Sequence, residues 1–262
     1  MATQAEKGRA FAALHEGEPF LIPNPWDAGS ARVLEVLGFP ALATTSSGFA
    51  FTLGRRDGQV TLDELAGHVA SLTEASTLPV SVDLEDGLGD APGAFRRIAE
   101  AGAVGGSIED YERGGALLPR DEAAERVARA VEAAHSLDFP FVLTARAENH
   151  IRGNPDLDDT IARLQAYEAV GADVLYVPGL RTVDEIRAVC DAVSKPVNVL
   201  AVPRLTIAEI FGAGAQRISV GGGLTWVAMN ALVDAGTAIR DRGDLSVLAK
   251  RSPVLDDALR EE

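Results

Sequence analysis

The sequence predicts an α/β protein, a (β/α)8 TIM barrel folded as a single domain over residues 1–262, with 244–262 as a C-terminal helical extension. Three observations carry this. About eight short apolar runs alternate with helical stretches at intervals of roughly 20–40 residues, the pattern of a parallel sheet buried on both faces. Four helix-like stretches end at glycine and pass almost at once into an apolar run: Val36-Leu37-Gly38, Glu100-Ala101-Gly102, Ala169-Val170-Gly171 and Gly212-Ala213-Gly214. Glycine past a helix end takes the left-handed conformation that satisfies the last carbonyls and turns the chain. The chain has 262 residues and no Pro/Ser/Gly-rich linker, which suits one barrel. An open doubly wound sheet is the competing architecture; against it, no G-x-G-x-x-G follows the first strand.

In chain order, the predicted strands are Phe20–Ile22, Ala41–Thr44, Pro79–Asp83, Gly106–Glu109, Phe141–Arg146, Val174–Val177, Val197–Leu200 and Ile218–Val220. Thr61-x-x-Glu64, Thr182-x-x-Glu185 and Thr206-x-x-Glu209 read as capping boxes that start helices. Asn154-Pro155 reads as an N-cap followed by proline in the first turn. Leu62, Leu65, Val69 and Leu72 repeat at helical spacing, as do Val183, Ile186, Cys190 and Val193.

Charge and cysteine usage narrow the function classes. There are 24 Lys+Arg against 39 Asp+Glu, a formal net charge of -15. An acidic chain is a poor match for nucleic acid or an anionic membrane, so neither is expected as a partner. With one cysteine, Cys190, no intramolecular disulfide can form. No apolar run reaches the ~18–20 residues of a membrane span, and residues 1–13 lack a signal-peptide core. A cytoplasmic location is the expectation.

In a (β/α)8 barrel the chemistry sits where strands end. Here the strands run into Asn24-Pro25-Trp26-Asp27, Thr45-Ser46-Ser47-Gly48, Asp83-Leu84-Glu85-Asp86-Gly87, Glu109-Asp110 and Arg146-Ala147-Glu148-Asn149-His150; later strands offer Asn198 and Gly221–Gly223. Carboxylates crowded on one rim repel unless a cation joins them. A hard divalent ion such as Mg2+ takes one or two carboxylates and fills its shell with water and substrate oxygens. Asp83, Glu85 and Glu109 are the candidate metal residues. A chelating anion such as an α-oxo acid is the matching substrate, with Arg146 against a carboxylate or developing oxyanion. Blander readings stand beside these. Asp83–Asp86 also suits a strand-end loop with capping acids, and Arg146 also suits a structural ion pair with Glu109. Trp26 either covers the pocket or packs the barrel mouth. Gly221–Gly223 is either an anion cradle or a close approach. Cys190 lies on an apolar stripe and reads as core.

The blocks Asp83-Leu84-Glu85-Asp86-Gly87, Ser107-Ile108-Glu109-Asp110 and Thr144-Ala145-Arg146 resemble those of the isocitrate lyase/phosphoenolpyruvate mutase superfamily. Thr45–Gly48 with Gly54-Arg55-Arg56-Asp57-Gly58, and Pro23–Ala28, resemble its second-strand and first-strand loops. The resemblance runs from about Phe11 to about Ala235. It implies a barrel that forms a homodimer or homotetramer, in which a C-terminal helix is exchanged between subunits. It implies Mg2+ and a small α-oxo acid. By position, Asp83 would be the main ligand, with Glu85 and Glu109 acting through water. Arg146 would bind the substrate, Ser46, Ser47 and Gly48 would donate to it, and Asp57 would stand by the reacting centre. Trp26 and Asn198 complete the expected substrate site. One departure bears on the reaction: the segment Tyr111–Pro119 contains no Cys, Lys or His, so the lyases' cysteine acid and the phosphonate enzymes' lid lysine are both absent. The expected function is a Mg2+-dependent lyase acting on an α-oxo acid through an enolate, by oxaloacetate-type decarboxylation or C–C cleavage of a substituted malate. The alternatives are P–C bond chemistry on phosphonopyruvate and an oxo-acid-binding protein without turnover.

Overall fold

In a computed structural model, residues 2–249 and 252–259 are described. Eight parallel strands form one sheet in the order β1-β8-β7-β6-β5-β4-β3-β2. They are β1 (Phe20–Ile22), β2 (Leu42–Ala43), β3 (Val80–Asp83), β4 (Gly105–Glu109), β5 (Val142–Arg146), β6 (Val174–Val177), β7 (Val197–Leu200) and β8 (Arg217–Ser219). The sheet curls until its edge strands meet, where Ala43 N–H donates to Pro23 O at 3.0 Å. Asn24 reinforces this closure: its Nδ2 donates to Thr44 O and its Oδ1 accepts from Val220 N–H, each at 2.9 Å. The barrel expected from the sequence is the observed one.

The helices are α1 (Gln4–Leu14), α2 (Ala28–Val36), α3 (Ser46–Thr52), α4 (Leu62–Ala75), α5 (Ala91–Glu100), α6 (Arg120–His135), α7 (Leu157–Ala169), α8 (Val183–Ala192), α9 (Ile207–Gly212), α10 (Gly223–Arg242) and α11 (Pro253–Ala258). The three predicted capping boxes are formed at Thr61, Thr182 and Thr206. The expected start of α7 moves: Asp156, not Asn154, is its N-cap, accepting from Asp158 and Asp159 N–H. A carboxylate two residues nearer the helix outcompetes the Asn-Pro pair.

The core lies between sheet and helices, with Leu143, Leu175, Ile98, Leu164 and Tyr167 almost fully buried. α1 closes the N-terminal end of the barrel. Its Phe11 is completely buried against Phe20, Val104, Val142 and Val174, worth about 2 kcal/mol of transfer free energy. The described part of the C-terminal extension holds a short 3-10 turn (Ser246–Ala249) and α11; residues 250, 251 and 260–262 lie outside the described residues. α11 packs on α2 of its own chain. α10 is long but buries only Thr225 and Ala238, leaving Trp226, Val227, Leu232 and Val233 exposed. No described helix is long and apolar enough to cross a membrane.

Candidate active site

A polar cavity of about 190 Å3 opens where the strands end. Of the residues singled out from sequence, Ser46, Ser47, Asp57, Asp83, Arg146 and Asn198 line it. Four others lie off its wall. Trp26 lines an apolar groove against α2, α10 and α11. Gly48 spends its N–H on the Thr45 side chain, so its donor caps α3. Glu85 and Glu109 sit behind the wall, each paired with arginine. Thr44 Oγ1 accepts from Asp83 N–H at 2.9 Å and so fixes the end of β3. Gly222 serves a close approach: a Cβ there would stand 2.7 Å from Ser47 Oγ and 2.9 Å from Trp226 Nε1.

Arg146 is the electrostatic centre. Its Nη1 lies 3.8 Å from Asp83 Oδ1 and 3.6 Å from Glu109 Oε2, and its Nε donates to Glu148. Its guanidinium also stands over the Tyr176 ring at 5.2 Å. Burial opposes its charge, but Tyr176, Glu148, Glu109 and Asp83 together hold it well above the ordinary arginine range. The ion pair with Glu109 is formed, and the same side chain also lines the cavity. Arg152 forms the second layer, with Nη2 3.0 Å from Glu148 Oε2 and 3.7 Å from Glu109 Oε1, stacked over Tyr111. Burial pushes Glu109 and Glu148 upward while the two arginines pull both back. Beneath them Asp110 accepts from Tyr167 Oη at 2.6 Å, Arg163 Nη1 at 3.0 Å and Glu148 N–H at 2.8 Å. Glu148 and Arg152 escaped the sequence reading, although their i,i+4 spacing just past β5 fits an ion pair.

The segment after β4 is a small loop closed by a bridge between Tyr111 and Leu117. Its Arg113 donates to Glu85 Oε1 and to Val60 O, each at 3.0 Å, and its N–H donates to Asp86 Oδ2. This basic residue, unmarked by any motif, ties the loop to the β3 acids. Glu85 adopts a left-handed backbone conformation (φ 49°), which costs a non-glycine residue about 1–2 kcal/mol. Such strain gathers at sites where side-chain direction matters. Burial and the Asp83 charge, only partly offset by Arg113, push Glu85 up to about 7.

These residues fit a hard divalent ion. The donors are carboxylate oxygens, and Asp83, Asp57 and Asp86 all raise the proton affinity of Glu85, a repulsion that a cation would relieve. Among the described residues no three His, Cys, Asp or Glu side chains converge closely enough to ligate an ion directly. A Mg2+ ion takes one or two carboxylates and keeps several waters, so it needs no closed cluster. Cys190 sits on α8, its thiol pushed up to about 11 by burial, outside the cavity wall.

A polar pocket at the C-terminal rim of a (β/α)8 barrel, with carboxylates clustered around a buried arginine, is the arrangement of an enzyme site. The family model for phosphoenolpyruvate phosphomutase matches residues 11–240. The chain belongs to that family. It is 32% identical over 257 residues to an oxaloacetate decarboxylase of Rhodopseudomonas palustris (strain BisB5), covering 92% of this chain and 87% of that one. A solved Burkholderia cenocepacia J2315 structure described as a lyase/mutase is 49% identical, with a TM-score of 0.92 over 97% of this chain and 94% of that one. A phosphonopyruvate hydrolase solved with oxalate and Mg2+ shares the fold at 23% identity, with a TM-score of 0.85 over 96% of this chain and 95% of that one.

Proposed function

We propose that this protein, a carbon–carbon lyase of its superfamily, decarboxylates a small β-carboxylated α-oxo acid of the oxaloacetate type with the help of Mg2+. One observation carries the choice of reaction. The loop after β4, Tyr111–Leu118, offers arginine and glutamate but no Cys, Lys or His, and its Arg113 is committed to Glu85 and Val60. Loss of CO2 from a β-carboxylate needs no base to take a hydroxyl proton, and its enolate can take its proton by way of water or Asp57, whereas aldol-type cleavage needs both a base on the hydroxyl and an acid for the carbon it releases. Oxaloacetate decarboxylases at 32–34% identity support the reading.

Asp83 would hold the ion, with Glu85 and Glu109 acting through water. When bound there, Mg2+ supplies Lewis-acid stabilisation of negative charge on the oxo oxygen. Arg146 takes a substrate carboxylate or the oxyanion as a charge-assisted donor. Its four-sided packing keeps it oriented before substrate arrives, so little reorganisation is needed. Ser46 and Ser47, at the start of α3, offer hydroxyl and backbone donors. Asp57, on the cavity wall and exposed, holds or relays the proton that the enolate carbon takes up. In sum, oxaloacetate and one proton give pyruvate and CO2.

The protein acts as a homo-oligomer in this reading: α10 presents Trp226, Val227, Leu232 and Val233 to solvent, an apolar face of the kind that seeks a partner. The test of function is a substrate panel with Mg2+: oxaloacetate, phosphonopyruvate and 2,3-dimethylmalate. Pyruvate release from oxaloacetate above the rate of Asp83→Ala supports decarboxylation. Phosphate release from phosphonopyruvate, or tight oxalate binding with no turnover of any, rejects it.

A further inference from the structure

The floor of the cavity holds a second buried arginine that the proposed reaction does not use. Arg217, the first residue of β8, lines the cavity and is 5% exposed. Its Nε donates to Asn198 Oδ1 at 2.8 Å, its Nη2 to Thr144 Oγ1 at 3.1 Å, and its Nη1 to His15 Nε2 at 3.0 Å. A guanidinium can only donate, so His15 Nε2 is an acceptor and its Nδ1–H donates to Phe11 O. His15 is therefore neutral, and all three partners of Arg217 are neutral. The other arginines around the site differ: Arg146 faces Asp83, Glu109 and Glu148, Arg152 faces Glu109 and Glu148, Arg163 faces Asp110 and Asp159, and Arg113 faces Glu85. Tyr176 stands near enough to favour the Arg217 cation, but burial holds its phenol in the neutral form. A buried charge without a counter-ion is costly, so its retention beneath a ligand cavity points to the ligand.

We propose that Arg217 is a positioning and specificity residue of the oxo-acid site: it locks the Asn198 amide with its N–H edge toward the cavity and supplies the positive charge that makes the pocket prefer a dianion. This rests on the oxo-acid reading above. The amide orientation follows from chemistry, since only Oδ1 can face the guanidinium. Asn198 Nδ2 then donates to Ser219 Oγ at 3.0 Å, and Ser219 also lines the cavity. The second Nδ2 hydrogen has no protein acceptor among the described residues and is the donor left for a ligand carboxylate. In a water-poor barrel the Arg217 charge acts at longer range than it would at the surface, offsetting Asp57 and Asp83 for an incoming anion.

The test compares oxalate, a dianion, with oxamate, its monoanionic amide analogue, by calorimetric titration at saturating Mg2+. Arg217→Met should lose tenfold or more in oxalate affinity and no more than threefold in oxamate affinity, and Arg217→Lys should recover most of the oxalate loss. Arg217→Gln keeps an N–H donor toward Asn198 Oδ1 without the charge and should lose the same preference, which covers failure of the methionine variant to fold. Equal losses for both ligands, no recovery by lysine, or an unchanged preference in Arg217→Gln overturns the proposal. Absence of oxalate binding by the wild-type protein overturns the oxo-acid reading itself, and this role with it.

Discussion

Replacing Arg146 by methionine should destabilise the fold by an amount that grows with pH. Arg146 stands within 4 Å of Asp83 and Glu109 and contacts Glu148 directly. A unit charge pair at 4 Å is worth about 4 kcal/mol at an effective dielectric of 20, and desolvation returns part of that. Breaking one side of a buried pair costs about 3–5 kcal/mol in net stability. Arg152 still reaches Glu109 and Glu148, which favours the lower end, about 3 kcal/mol. For a domain of this size that lowers Tm by roughly 10 °C. The pH dependence follows from the acids left behind. Without Arg146 the folded-state proton affinities of Glu109 and Glu148, already raised by burial, rise further. A folded acid that binds protons more tightly than its unfolded form loses stability as pH increases. The difference between variant and wild type, followed by thermal melts monitored by circular dichroism, should stay flat where Glu109 is protonated in both folded proteins and grow as pH rises through about 9, where the wild-type group ionises. A pH-independent difference, or one below about 1 kcal/mol, would refute the view that Arg146 is the counter-ion of this carboxylate group.

Three more outcomes follow. Asp110→Ala should cost about 3 kcal/mol or more, because it leaves Arg163 and Tyr167 buried without their shared acceptor; Tyr167→Phe should cost about 1 kcal/mol, measured by urea denaturation. Burial depresses His15 to about 3, with Arg217 adding to the effect, and burial depresses His68 to about 4. Unfolded histidine binds the extra proton first, so stability should fall as pH drops below 6.5, by about 2 kcal/mol per histidine at pH 5. His68→Phe should flatten its share of that slope, and an unchanged slope counts against His68 being neutral when folded. Light scattering after size exclusion should give a mass at least twice the 27.5 kDa chain, and Leu232→Glu with Val233→Glu should shift it toward monomer; a monomeric wild type would remove the role assigned to α10.

The barrel was legible because its signals are local. Glycine after four of the helices and threonine three residues before glutamate are read within four or five positions, and the capping boxes at Thr61, Thr182 and Thr206 formed as the pattern requires. Strand ends were legible to a residue or two; β8 begins one residue earlier than the apolar run, at Arg217. The burial of Arg217 depends on Asn198, Thr144 and His15, partners on β7, β5 and the residue after α1 that no local spacing brings together. The same limit applies to Arg113 and Arg152, whose partners Glu85 and Glu109 lie 28 and 43 positions away in sequence (113 − 85 and 152 − 109). Asp83 and Arg146 end β3 and β5, and Ser46 and Ser47 follow β2, whereas Asp57 lies beyond α3 and Asn198 inside β7; the topology brings all six to one cavity. Trp26 follows β1 at such an end too, yet it lines the groove formed with α2, α10 and α11, a packing choice no spacing encodes.

The most direct test of the proposed activity is the product mixture from oxaloacetate and Mg2+, followed by NMR against the Asp83→Ala protein as the background for spontaneous loss of CO2. The account predicts pyruvate with CO2 or bicarbonate, formed faster by the wild-type protein. Oxalate with acetate, the products of adding water across the C2–C3 bond, or a rate equal to that of the Asp83→Ala background, would contradict it.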